Sequence, residues 1–367
     1  MNEPGTPGGT VRPTRAARTA RIQRVRRGVA FGIVAALVVA ATGLWLVRRG
    51  DEGAAATTDG GSDDPSTPSE TRLLALQVEG GPAPLLAVIG APGTETPIVM
   101  PVPAELTIVV PGQGETSAPG VAALPGDSMR VALSNMTGVW IHDFAVLSLR
   151  ELAVMIDAGG GASVTLPSSY PTENGVLGPG DVTLSGPQAK AFLAGATDDA
   201  GVRWEILLGG MLERSLSLPS VSSIETDDAD AVSETLAAAQ GAEVFDIPTE
   251  PVTGDVIIPV YPILDERLTT ALGTPAPVPT IVQNGSGEPG VGEAVAASII
   301  PAGFRVVLSQ NAQSFDVATT NIFANGVDHE ADANRAKAAL GVGRVRVSQV
   351  PSGVGDITIV VGKDFTA

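Results

Sequence analysis

The chain has 367 residues, room for about two domains besides its tails. It contains no cysteine, which excludes disulfides and thiolate chemistry. The formal charge of −18 conceals a division: nine of the 22 basic residues stand in the first 49 positions, where Glu3 is the only one of the 40 acidic residues. A basic start on an acidic body points to a membrane or nucleic-acid contact at that end.

Seven arginines, Arg12, Arg15, Arg18, Arg21, Arg24, Arg26 and Arg27, fill residues 1–27. The next twenty, Gly28 to Val47, carry no charge, and as a helix they would span about 30 Å, the hydrocarbon thickness of a bilayer. Trp45 suits the outer interface, and the heavier positive flank keeps the N-terminus cytoplasmic. The expected localisation is therefore the bacterial plasma membrane, crossed once, with about 320 residues outside. A cleaved signal peptide at Ala54-Ala55-Ala56 fits less well, because the apolar run is long and Arg48-Arg49 intervene. A DNA-binding arm has no accompanying motif. Residues 48–71, rich in Gly, Asp, Ser, Thr and Pro, read as a disordered stalk.

Residues 72–272 read as a mixed α/β domain. Strands are expected at Leu73–Val78, Leu85–Ile89, Ile98–Met100, Thr107–Val110, Trp140–Leu147 and Val164–Leu166. Helices are expected at Met129–Met136, Leu149–Ala158 and, after a turn over residues 180–186, from Pro187 to Leu193. Asp227-Asp228-Ala229-Asp230 reads as the acidic cap of a helix.

Residues 273–279 form a proline-rich spacer, across which few contacts are expected. Beyond it, residues 280–367 repeat one order twice. Thr280–Gln283 is a strand ending at the turn cluster Asn284-Gly285-Ser286-Gly287; Ala294–Ile300 is a helix closed by Gly303; Phe304–Leu308 is a strand. Thr320–Phe323, a helix over Ala331–Leu340 and strands at Val345–Val347 and Ile357–Val361 complete it. The fold class is thus α/β: a single transmembrane helix, a mixed α/β central domain, and a small C-terminal α/β sandwich of strand-helix-strand repeats.

The C-terminal order resembles the C-terminal domain of many LytR-CpsA-Psr cell-envelope proteins. The resemblance runs through Asn284 to Gly287, Gly290, Gly303-Phe304, Thr320, Glu330-Ala331, Asp356-Ile357 and Gly362-Lys363-Asp364-Phe365. The central region is similar to the catalytic domain of the same family over Gly138–Val146, Leu152–Val164 with Asp157, and Gly180–Ala191. The resemblance implies a polyprenyl-pyrophosphate-linked glycan substrate, transferred to peptidoglycan, held by arginines and by magnesium on aspartates. Most of those positions are altered. Pro103-Ala104-Glu105 stands where the family has proline-arginine-aspartate, Glu79 and Pro84 where it has aspartates, and Phe192-Leu193-Ala194 where it has a run ending in arginine. Only Arg203 remains of the following basic run.

The catalytic candidates are thus Glu79, Glu105 and Arg203; a diphosphate needs planar permanent donors that are mostly absent. Glu79 and Glu105 read more simply as solvated carboxylates, and His142 as a packed or hydrogen-bonded histidine. No Gly-x-Ser-x-Gly elbow suggests a hydrolase. The ligand-binding candidates are Asn284, Gly285, Ser286 and Gly287, whose backbone N–H groups are expected to be free at a helix start, and Arg344 and Arg346, alternating on one strand face. The expected function is a non-catalytic binding or regulatory role in cell-wall assembly. It needs no cofactor or metal, and its partners are the membrane and a cell-wall glycan or peptidoglycan. The alternative is an active, magnesium-dependent phosphotransferase. A transcriptional role rests on the family's historical name alone, and a domain outside the membrane cannot reach DNA.

Overall fold

The computed structural model describes residues 71–91, 96–220, 223–253, 256–348 and 353–366, which belong to one compact unit spanning 56–367. The arginine-rich tail, the expected membrane span 28–47 and the stalk up to residue 70 lie outside the described residues. Among the described residues no helix is long and apolar enough to cross a membrane.

The central region opens with β1 (Arg72–Glu79), β2 (Leu85–Ala91) and β3 (Ile98–Val102), followed by the hairpin β4 (Thr107–Val110) and β5 (Gly114–Ser117). Helices α1 (Ala118–Ala122) and α2 (Gly126–Thr137) lead to β6 (Asp143–Ser148) and α3 (Leu149–Ala158). Next come β7 (Ala162–Leu166), the small hairpin β8 (Tyr170–Thr172) and β9 (Gly175–Leu177), and β10 (Gly180–Leu184). Then α4 (Gly186–Ala194), α5 (Ala200–Leu212), β11 (Glu225–Thr226), α6 (Ala229–Ala238) and β12 (Glu243–Val244) follow. The hairpin β13 (Thr249–Thr253) and β14 (Val256–Pro259) and the helix α7 (Tyr261–Leu272) close the region.

Six strands make its main sheet, in the order β11-β6-β1-β2-β3-β12. Leu73 to Val78 are all buried because β1 lies mid-sheet with a core on each face, which suits a run apolar at every position but Gln77. Leu74, Leu76 and Val78 join one core with α3, α4, α5 and α6. Leu73 and Ala75 join the other with β4, α1, α2 and α7. The region is a three-layer sandwich.

Two expectations need correction here. Residues 180–186 are not one turn: 180–184 form β10, paired with β7 and tied by the Thr165 hydroxyl donating to Asp181 (2.6 Å). The chain turns only at Ser185, where Gln188 Oε1 accepts its N–H. The strand expected from Trp140 begins at Asp143, because Trp140 is drawn onto the C-terminal core and His142 bonds the backbone of Leu73 through both its N–H and its Nδ1.

The C-terminal region contains β15 (Val278–Asn284), α8 (Val291–Ile299), β16 (Phe304–Asn311), β17 (Asn321–Ala324), α9 (Glu330–Leu340), β18 (Arg344–Val347) and β19 (Ile357–Val361). The sheet order is β16-β15-β19-β17-β18. β15-α8-β16 and β17-α9-β18 are each a parallel strand pair joined by a helix, with β19 between them. Val282, Ile322, Ala324, Ile357 and Ile359 pack on Val295, Ile299, Ala333 and Ala336, so both helices cover the same sheet face.

The two regions are joined more closely than the spacer suggested. Helix α2 gives Met129, Leu133 and Met136 to the central core and Val131 to the C-terminal one. The side chain of Asn135, fully buried, substitutes for a strand at the β16 edge: its Oδ1 accepts from Val306 N (2.7 Å) and its Nδ2 donates to Val306 O (2.9 Å) and Val109 O. Arg305, 4% exposed, grips Asp265 of α7 through both terminal nitrogens (2.8 and 2.6 Å) and donates to the Asn135 and Met136 carbonyls ending α2. Its guanidinium lies 4.3 Å from the centre of the Tyr261 ring. Gly138 ends α2 at φ 72, and a Cβ there would meet Pro277 at 2.4 Å and Arg305 at 2.7 Å. A glycine is required both by the left-handed turn and by the close pass of the spacer.

Candidate functional site

The expected catalytic residues do not meet. Odd-numbered side chains of β1 face the core that contains α1 and α2, so Gln77 donates to Ala122 O (3.1 Å) and to Glu79 Oε1 (2.7 Å) on that side. Glu105 is exposed and precedes Leu106, which belongs to the same core. Arg203 lies across the sheet, 1% exposed, among residues of the opposite core. Its Nε donates to Asp199 (2.8 Å), and one terminal nitrogen donates to the carbonyls of Pro171 (2.9 Å) and Phe192 (2.7 Å). The guanidinium is also stacked near Tyr170 and Phe192, each 5.2 Å from its centre. Burial raises the Asp199 carboxyl, but the hydrogen bond and charge of Arg203 outweigh it and hold Asp199 below the usual range. Arg203 therefore ties the β8–β9 hairpin to α4 and α5 through Nε and one terminal nitrogen. Asp157 is likewise structural, accepting the Gly186 N–H (2.6 Å) at the start of α4.

A second charged cluster sits at the opposite ends of β1 and β6. Asp143 is 4% exposed, with Arg72 at 3.4 Å. Burial pushes its carboxyl up, more than Arg72 lowers it, and nearby Asp227 adds to the rise. Arg130 joins Asp127 and Asp227 and lies over Trp140. These groups pin strands and helix starts together.

In the C-terminal region the Asn284-to-Gly287 turn differs from expectation in one respect. Its N–H groups are not free: Asn284 Oδ1 accepts from Ser286 N (3.2 Å) and Gly287 N (3.0 Å), Ser286 Oγ accepts from Glu288 N, and Gly285 N donates to Val361 O. The side chain closes an Asx turn on itself, which is what Asn offers a backbone in a turn. Helix α8 begins only at Val291, after Gly290. Arg344 and Arg346 are exposed on the edge strand β18, on one face as their spacing requires, and neither forms an ion pair among the described residues. Three strand spacings, about 14 Å, separate them from Asn284, so the six ligand-binding candidates make two places rather than one.

Two concavities went unforeseen. One, about 210 Å³, lies where the β4–β5 hairpin meets the C-terminal region. Gln113 comes from the hairpin, Asn284 from the end of β15, Gly290 to Gly292 from the start of α8, and Ser309 to Asn311 from the end of β16. Gly112 N donates to Ser309 Oγ (3.0 Å) across the junction. The other, about 700 Å³, runs between β12 and α7 and is lined by Glu243, Asp246 and Glu266 with Arg267. That arginine is engaged by the Asp246 carbonyl and by Phe245. Among the described residues no three His, Cys, Asp or Glu side chains gather to hold a metal ion.

Residues 278–365 match the model of the family described as "LytR cell envelope-related transcriptional attenuator". The chain carries a LytR C-terminal domain. The match bears out the resemblance read from Asn284 to Phe365. No curated protein matches the chain significantly. Among solved structures, TagV of B. subtilis is 14% identical, with 56% of this chain and 99% of that one covered and a TM-score of 0.46. A structure described as TagT bound to LIIa-WTA is 17% identical, with 62% and 98% covered and a TM-score of 0.46. The LytR-CPS2A-psr family protein YwtF (TagT) with bound octaprenyl pyrophosphate lipid is 14% identical, with 58% and 95% covered and a TM-score of 0.45.

Proposed function

We propose that this chain is a single-pass envelope protein that binds the cell wall during its assembly, without transferring glycopolymer itself. The carrying observation is the state of Arg203. It is the one arginine left of the expected pyrophosphate-binding set, and it is buried with Nε and one terminal nitrogen committed to Asp199, Pro171 and Phe192. Releasing it would take this donor from the Pro171 and Phe192 carbonyls, at about 1–3 kcal/mol for each. Glu79 and Glu105 stand on the other side of the sheet, so they and Arg203 do not share one diphosphate site. The groove beside α7 sets three carboxylates around one arginine, a net negative field that disfavours a pyrophosphate.

The LytR C-terminal domain supports the envelope setting, as does the apolar run at 28–47 with its arginine-rich flank. Arg344 and Arg346 supply the exposed positive charge for an anionic stretch of wall polymer. The test pairs two assays on the full chain in detergent: co-sedimentation with purified peptidoglycan sacculi, and release of phosphate from a polyprenyl diphosphate with magnesium. Co-sedimentation without release is expected. Magnesium-dependent release abolished by Glu105→Ala would establish the phosphotransferase instead.

A further inference from the structure

The small pocket at the junction differs in chemistry from the acidic surface around it. No charged side chain lines it. Gln113, Gln310 and Asn311 are exposed at its rim, and their side-chain amides make no hydrogen bond to another described residue. A primary amide presents a donor and an acceptor side by side, the pattern that pairs with adjacent hydroxyls or with another amide. The volume, about 210 Å³, lies below that of drug-sized sites and suits a single ring.

The surroundings argue against an ion. Glu288 and Glu293 flank Gly290 to Gly292, and Glu293 already accepts the Ser128 hydroxyl (2.6 Å), so an anion would meet carboxylates at the helix start. A cation would find no carboxylate in the lining itself. We propose that this pocket binds one neutral N-acetylated sugar ring of a glycan, held by Gln113 on one side and Gln310 and Asn311 on the other. The proposal rests on the cell-wall reading and narrows it to a subsite built by both regions of the chain. Since Gln113 belongs to the β4–β5 hairpin, the C-terminal domain alone would present only half of the site.

The probe is a trimer of N-acetylglucosamine, titrated calorimetrically into the full chain in detergent, with sacculus co-sedimentation run in parallel. Saturable binding is expected, weakened at least about tenfold by Gln113→Ala and by Gln310→Ala with Asn311→Ala. It should not be displaced by inorganic phosphate. All these residues are exposed, so the variants should fold. Equal binding by wild type and amide variants, displacement by phosphate, or no trimer binding while sacculi are still retained would each overturn the subsite and leave the broader reading intact. Loss of both trimer and sacculus binding in the wild type would overturn the two together.

Discussion

Arg305 is the residue on which the joint between the two regions most depends, and its replacement gives a quantitative test. Arg305→Met keeps an apolar stem of similar reach and removes the guanidinium. Asp265, with its side chain 15% exposed, is left without its bidentate partner, and the Asn135 and Met136 carbonyls lose their donors. Removing one member of a buried ion pair costs about 3–5 kcal/mol, and the lost stacking on Tyr261 adds about 0.5–2 kcal/mol. Exchanging both partners for apolar residues is often neutral, so Arg305→Met with Asp265→Leu should recover most of the loss. Urea unfolding of residues 56–367, followed by tryptophan fluorescence, reads this out. Trp140 reports the junction core and Trp204, bonded to Leu86 O, the central core. Wild type should show one transition for both, and the single variant should lose about 3.5–7 kcal/mol. A loss below about 1 kcal/mol, or a double variant as unstable as the sum of both single ones, would refute the reasoning.

Four further outcomes are expected. Gly138→Ala should cost at least about 2 kcal/mol by urea titration, because φ 72 disfavours a side chain and the new Cβ would clash with Pro277. Asp143 has a raised carboxyl, so the folded state favours its protonated form and stability falls as pH rises above the ordinary 3.8; Asp143→Asn should flatten that part of the stability–pH profile. Asp199, held low by Arg203, works in the opposite sense: its contribution is present above 3.8 and lost as pH falls below it, so Asp199→Asn should reduce the acid sensitivity seen by circular dichroism. Protease added to intact spheroplasts should digest everything after about residue 50, and protection of the C-terminal domain would reverse the proposed topology.

The C-terminal elements were legible because their signals are local. Apolar runs, Asn-Gly turns and closing glycines fix β15 to β19 and both helices within a few residues. Two central helices were harder to see. Helix α5, Ala200–Leu212, is apolar nearly all round with Gly209-Gly210 inside it, so it lacks the one-sided stripe of a surface helix. Helix α7 did carry a signal, Leu264, Leu268 and Leu272 four residues apart with Gly273 after them, which places the buried stripe now seen.

The site was less legible than the fold for a physical reason. Asn135 and Arg305 act through partners 171 and 40 residues away, and no local spacing announces either. The turn at Asn284 was recognisable as a turn, but that its own side chain consumes the N–H groups depends on a rotamer, which composition does not reveal. Arg203 could be aligned with a catalytic position, yet its role is set by Asp199 one helical turn earlier and by the folded-over hairpin at Pro171. An Asp at i−4 was the available clue that its charge is balanced within the helix.

Binding without transfer is the central claim, and one measurement addresses it directly. The full chain in detergent is incubated with magnesium, a polyprenyl-pyrophosphate-linked glycan and peptidoglycan sacculi, and the sacculi are washed and assayed for covalently attached glycan. The expected result is protein retained on the sacculi with no attached glycan above a protein-free control. Attached glycan that disappears with Glu105→Ala or with chelation of magnesium would contradict it.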